Sequence, residues 1–197
     1  RGLAVDASED PGVFSTGRLK RYRAIVLLSC TTDPKNPASE WLTGSRRDAL
    51  QQFVRAGGGI LAIHAAADSH YHWPWYGKMI GGHFARHPSG TPTGTIRVAA
   101  TGETRSRTDE WYYFDDFDPT SHLLVTLDPS SIGEADVNPN PLSWTPQGRG
   151  RAGVLHCHGS HRCELFGTLV HQAPRRRARL GIGGKMKILS SLLSLIL

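Results

Sequence analysis

Residues 45–65 read SRRDALQQFVRAGGGILAIHA, and the change of period inside this stretch decides the fold. In its first half Ala49, Leu50, Phe53 and Val54 fall on one face of a helix, the spacing that a 3.6-residue period demands. Ser45 is placed to cap that helix and Gly57 to stop it. After the glycines the period vanishes. GILAIHA (59–65) is a continuous apolar run, as expected of a strand buried on both faces of a parallel sheet. A second such run, AIVLLSC (24–30), lies upstream across a Pro- and Asn-bearing loop. Strand, helix, strand is a right-handed βαβ unit, which predicts an α/β domain with a doubly wound, mostly parallel sheet.

Working outward, LAVDAS (3–8) reads as a short strand, and TIRVAA (95–100), EWYYFDDF (110–117), HLLVTLD (122–128) and LSWT (142–145) as later ones. No internal repeat and no linker precede residue 150, so one domain is expected. The 197 residues suffice for one sizeable core, and 39% apolar content suits a globular chain.

The net charge of +6 invites a nucleic-acid reading until it is located. Residues 1–164 carry 17 Lys/Arg and 17 Asp/Glu; the excess (Arg175, Arg176, Arg177, Arg179, Lys185, Lys187) lies wholly beyond Glu164. The domain therefore has no polyanion-binding stripe, and no nucleic-acid partner is expected. Cys30, Cys157 and Cys163 fit neither a metal nor a redox spacing, and Cys30 ends an apolar run as a small buried residue would. The terminal ILSSLLSLIL is too short to span a bilayer.

Ligands of open α/β sheets bind beyond the carboxyl ends of the strands. His64 stands at such an end, followed by small residues that permit a tight turn of the kind that presents a nucleophile. Here the presented group is an imidazole, suited to acid–base work or metal ligation. Asp68 is placed to orient it or to act as a second acid. Downstream come His70, Tyr71, His72, Trp73, Trp75, Tyr76, His83 and His87. Aromatic rings with polar tips beside acids and imidazoles suit a sugar, whose C–H faces stack while its hydroxyls hydrogen-bond. Tyr71, Trp73, Trp75, Tyr76, His87, Asp109 and Trp111 are thus candidate substrate contacts, and His70 and His72 read as loop residues. A divalent metal held by His64, His83 or His87 with a carboxylate is the rival use. In the second cluster, Asp109-Glu110-Trp111-Tyr112, adjacent strand side chains face opposite ways, so one acid alone enters a given pocket. Asp115, Asp116 and Asp118 read as a turn.

AGGGILAIHAAADSHYHWPWYGKMIGGHFARHP (56–88), RTDEWYYF (107–114), HLLVTLD, and the pair Pro-Leu-Ser-Trp and Gly-Arg-Gly-Arg-Ala within 141–152 together resemble the ThuA-like (trehalose utilisation) family in order and spacing. The resemblance covers residues 1–152. It implies a flavodoxin-like fold of the class I glutamine amidotransferase-like group and a role in carbohydrate use, on disaccharides or their keto derivatives. In that group a cysteine occupies the elbow; His64 in its place implies that glutamine amidotransferase chemistry is absent.

The resemblance also implies departures at both ends. The family's first strand belongs before residue 1, and residues 154–197 do not follow the family's closing strand, Gly-His-Thr loop and helix. A reading frame moved by one base, with permitted synonymous codons, restores such a loop and helix, so a frameshift or mis-spliced junction near residue 153 is the expected origin of the tail. The expected organisation is a family domain over 1–153 and a poorly ordered tail over 154–197, with marginal stability from unpaired sheet edges.

Four functions stand at this point. The first is a sugar-processing enzyme with His64 and Asp68 or Glu110 as its acid/base pair; the second is a non-catalytic sugar-binding domain. The third is a metal-dependent hydrolase, and the fourth is a fragment without activity. Expected partners are a small-molecule carbohydrate and a second copy in a homo-oligomer, with no membrane span. The residues leave the compartment open between cytoplasmic and secreted.

Overall fold

A computed structural model of the protein describes residues 4–135, 138–147, 151–155 and 185–190. Strand β1 spans Ala4–Ser8, α1 Thr16–Leu19, β2 Tyr22–Leu28, α2 Ser45–Arg55, β3 Gly59–Ile63, α3 Pro74–Ile80 and β4 His83–Arg86. There follow β5 (Thr93–Val98), β6 (Thr104–Thr108), β7 (Tyr113–Asp115), β8 (His122–Asp128), β9 (Asn140–Thr145), β10 (Arg151–Leu155) and β11 (Lys185–Ser190).

The decisive stretch behaves as its period requires. β2 and β3 pair in parallel from Ala24↔Gly59 to Leu28↔Ile63, with α2 as the crossover between them. Ala49, Leu50 and Phe53 of α2 are buried with Ile25, Leu27, Ile60 and Ala62 in the larger core. Leu50 is fully buried, so truncation to Ala would cost about 2–5 kcal/mol, the transfer term plus the cavity left behind. Two details differ from the sequence reading. Gly44, at φ 49 and without a side-chain cap, precedes the helix, and Ser45 is its first residue. Val54 is only partly buried.

The fold is α/β, but its nine-stranded sheet is mixed rather than mostly parallel. Its order is β1-β11-β2-β3-β10-β9-β8-β5-β6. The pairs from β1 through β10 run parallel, and those from β10 through β6 run antiparallel. The cause is local. β5 and β6 are joined by a tight turn through Gly102, at φ 70, and hairpin-linked strands can only be antiparallel. β5 also alternates buried Gly94 and Ile96 with more exposed neighbours, the pattern of a sheet with one wet face. A smaller core of Ile96, Trp111, Val125, Leu127 and Leu142 serves this half.

The strand expected over 110–117 shrinks to β7, which pairs with β4 in a separate two-stranded ribbon. Trp111 is drawn into the smaller core instead, its Nε1 donating to the Pro92 carbonyl at 2.8 Å. Residues 109–110 consequently leave the ladder, and Asp109 Oδ1 takes the Glu110 N–H at 2.9 Å.

Most of the expected tail, residues 156–184 and 191–197, lies outside the described residues. In the part described, β11 lies between β1 and β2 and pairs in parallel with both. β10 joins β3 to β9.

Candidate functional site

Parallel strand β3 delivers His64 at its carboxyl end, where the backbone turns into a single 3-10 turn over His64–Ala66. His64 itself takes φ 53, a left-handed conformation that a non-glycine residue adopts at a cost. Such strain persists where surrounding structure enforces it, and it concentrates at functional positions. Here it lifts the imidazole out of the strand's alternation.

The clamp that holds this turn comes from the loop after β2. Ser29 N–H donates to the Ile63 carbonyl at 3.1 Å and Thr32 N–H to the Asp68 carbonyl at 3.0 Å, while His70 N–H donates to Thr32 Oγ1 at 2.8 Å. His70 is fully buried. Its Nε2 accepts from Leu42 N–H at 3.2 Å, and its Nδ1 lies 2.6 Å from Ser69 Oγ. That pattern requires a neutral ring, and burial, with smaller help from Arg47 and His83, pushes His70 down to about 3. Glu40 completes the clamp. Its buried carboxylate accepts from His72 N–H at 2.7 Å and pairs with Arg47 at 2.6 Å. His70 and His72, read from sequence as mere loop residues, are the ties that fix the loop carrying Asp68 and Tyr71.

The site gathers around Glu110. One carboxylate oxygen lies 3.3 Å from His87 Nε2 and the other 3.7 Å from His64 Nε2. The three side chains are 33%, 39% and 24% exposed, in the order Glu110, His87, His64, so a ligand can reach them. Tyr112 lies beneath, its ring 4.9 Å from that of His64 and 4.2 Å from that of Phe84, and its hydroxyl bonds to Glu110. On the far side Tyr71 donates to Asp68 Oδ1 at 2.5 Å.

Electrostatics set these groups apart. Burial lowers the His64 imidazole below its ordinary range; Glu110 pulls it back up and His87 pushes it further down. Burial raises the Asp68 carboxyl, against the Tyr71 hydrogen bond and with help from Glu110. His64 is thereby biased toward a neutral base and Asp68 toward a proton-bearing acid, the divergence that acid–base sites use.

The structure thus brings together His64, Asp68, Tyr71, His87 and Glu110. It does not bring the expected aromatic platform with them. Trp73, Tyr76 and Trp111 are buried in the cores at 6%, 0% and 1% exposure, and Trp75 is half-buried against Trp73, ring centroids 5.0 Å apart. A ring buried in a core offers no face to a sugar, so Trp73, Tyr76 and Trp111 are corrected to structural residues. Tyr76 spends its hydroxyl on the Ala66 carbonyl at 2.8 Å. Asp109 is buried and serves the backbone of Glu110. The half-buried ring beside the site is Phe84, packed on the buried Tyr112; sequence reasoning passed over Phe84, while its neighbour His83 drew attention by type alone.

His83 also leaves the cluster. Adjacent strand residues face opposite ways, and its ring stacks on Tyr71 at 5.0 Å. Among the described residues no group of three or more His, Cys, Asp or Glu is arranged to hold a metal ion. No helix among them is long and apolar enough to cross a membrane.

The sequence pattern of the trehalose utilisation (ThuA) family matches residues 1–167. No curated protein matches the chain. Among solved structures, a ThuA-like protein from Bacteroides uniformis is 24% identical, with TM-score 0.60, over 76% of this chain and 65% of its own. A ThuA-like protein from Parabacteroides merdae is 17% identical, with TM-score 0.52, over 79% of this chain and 65% of its own. A cytoplasmic protein of Salmonella typhimurium is 12% identical, with TM-score 0.50, over 77% and 68%. At these identities the likeness is one of fold, and the chain spans about 65% of the length of the two ThuA-like proteins.

Proposed function

Because the chain belongs to the ThuA (trehalose utilisation) family, we propose that its His64 cluster carries out general acid–base chemistry on a carbohydrate bound beyond the carboxyl end of β3. The observation that carries this reading is the Glu110 carboxylate set between His64 and His87, next to a backbone strained at His64. Neutral His64 takes a proton from a sugar hydroxyl, or from a carbon beside a keto group. Glu110 stabilises the imidazolium that forms, and its second oxygen is braced by His87. Asp68, whose hold on a proton burial strengthens and which Tyr71 positions, returns a proton to the oxygen on which charge develops. Phe84, half-buried over Tyr112, offers the apolar wall for the ring.

The parallel strands β1, β11, β2, β3 and β10 support a flavodoxin-like, class I glutamine amidotransferase-like ancestry, with His64 at the elbow where that group holds cysteine. Amidotransferase chemistry is not part of the proposal. Cys30, the cysteine among the described residues, is buried with its thiol pushed up to about 12, too high to supply thiolate at neutral pH.

Turnover and binding of trehalose and its keto derivative should be measured for the wild type and His64→Ala. Loss of a positioned acid–base group lowers turnover by roughly 10²–10⁴-fold, with binding held within a few-fold. Binding without turnover in the wild type would establish the accessory-domain reading instead.

A further inference from the structure

We propose that the cavity between α3 and the β4–β7 ribbon is a second binding site, for a polyhydroxylated ring; the ligand class, though not the site, rests on the carbohydrate reading above. The cavity measures about 550 Å³, inside the roughly 300–1,000 Å³ of ordinary small-molecule sites. Tyr71, Gly77, Lys78, His83, Asp116 and Asp118 line it. None of the last five takes part in the Glu110 cluster.

The walls are built rather than accidental. The His83 ring is fixed between Tyr71, with which it stacks at 5.0 Å and 25°, and the backbone of α3. A Cβ at Gly77 would lie 2.3 Å from His83 Cε1, so that approach requires glycine. Asp116, which the sequence assigns to a turn, sits at φ 53, a strained conformation at the cavity mouth. Among the described residues neither Lys78 nor Asp116 forms an ion pair, and Asp118 bonds Thr120 from its edge position.

This lining selects its ligand by chemistry. Two carboxylates against one ammonium disfavour an anion. Carboxylates accept from neighbouring hydroxyls, the ammonium donates to a ring or hydroxyl oxygen, and the Tyr71 face takes C–H groups. Tyr71 is also the shared wall, since its hydroxyl donates to Asp68. A ring seated here therefore bears on the proton donor of the first site.

The test is calorimetric titration of the full chain with trehalose, for the wild type, Asp116→Gly and Lys78→Ala. Glycine adopts a positive φ freely and Lys78 is exposed, so both variants keep the fold. Each should weaken trehalose binding by roughly tenfold, about the loss of one charge-assisted hydrogen bond. Wild-type affinity in both variants, or no trehalose binding at all, overturns the proposal. Failure of the His64 reading is separate, since it is judged by turnover in His64→Ala.

Discussion

Oε2 of Glu110 stands 3.7 Å from Nε2 of His64, near enough to bias the imidazole's proton and too far to hold it by a hydrogen bond. At that distance the carboxylate already provides for the charged form of His64. Replacing Glu110 by Gln removes a charge that raises the His64 pKa. The imidazole should then titrate lower still in an NMR pH titration, and turnover should fall by roughly 10²-fold.

The pH profile follows from the two opposed shifts. His64 lies below its ordinary value of 6.5, so the base keeps its neutral form to lower pH than an ordinary imidazole. Asp68 lies above 3.8, so its proton persists to higher pH than in an ordinary carboxyl. The account expects a bell-shaped profile of kcat/KM, its acid limb set by His64 and its alkaline limb by Asp68. Tyr71→Phe removes the hydrogen bond that lowers Asp68 and should move the alkaline limb upward.

His70 governs stability rather than chemistry. Its folded value of about 3 lies below the ordinary 6.5, so the unfolded chain binds the proton more readily. The stabilisation is fully present above pH 6.5 and drains away as pH falls toward 3. Urea midpoints should therefore drop between pH 7 and pH 4.5. In His70→Asn, which tolerates the φ of 53 at this position, that drop should shrink, with Trp41 fluorescence as a local reporter because its ring lies 4.7 Å from His70.

How far the sequence foretold this structure depends on which physical signal each residue carries. β2, α2 and β3 were legible because a double-faced strand must be apolar throughout and a helix must repeat every 3.6 residues. The antiparallel half was read as strands but not as antiparallel, since direction is decided by connections such as the turn at Gly102. His64 and Glu110 were legible from strand ends and from acid beside aromatics. Trp73, Tyr76 and Trp111 misled because an aromatic side chain fits a core and a sugar wall equally well. A corrective signal existed for one of them: Tyr76, Met79 and Ile80 share a helical face and are buried together in α3. For His83 and His87, four residues apart, a helix would have united them; the strand β4 ends between them and sends them to different sites.

The central claim is that His64 is a neutral base in contact with sugar, and the imidazole nitrogens report on it directly. Long-range ¹H–¹⁵N spectra of the wild type at pH 7, with trehalose and its keto derivative added stepwise, are the measurement. The account predicts a singly protonated His64 ring whose nitrogen shifts move with saturation on adding sugar, and with them those of His87. A doubly protonated ring at pH 7, or nitrogens that stay unmoved while the sugar is turned over, would contradict it.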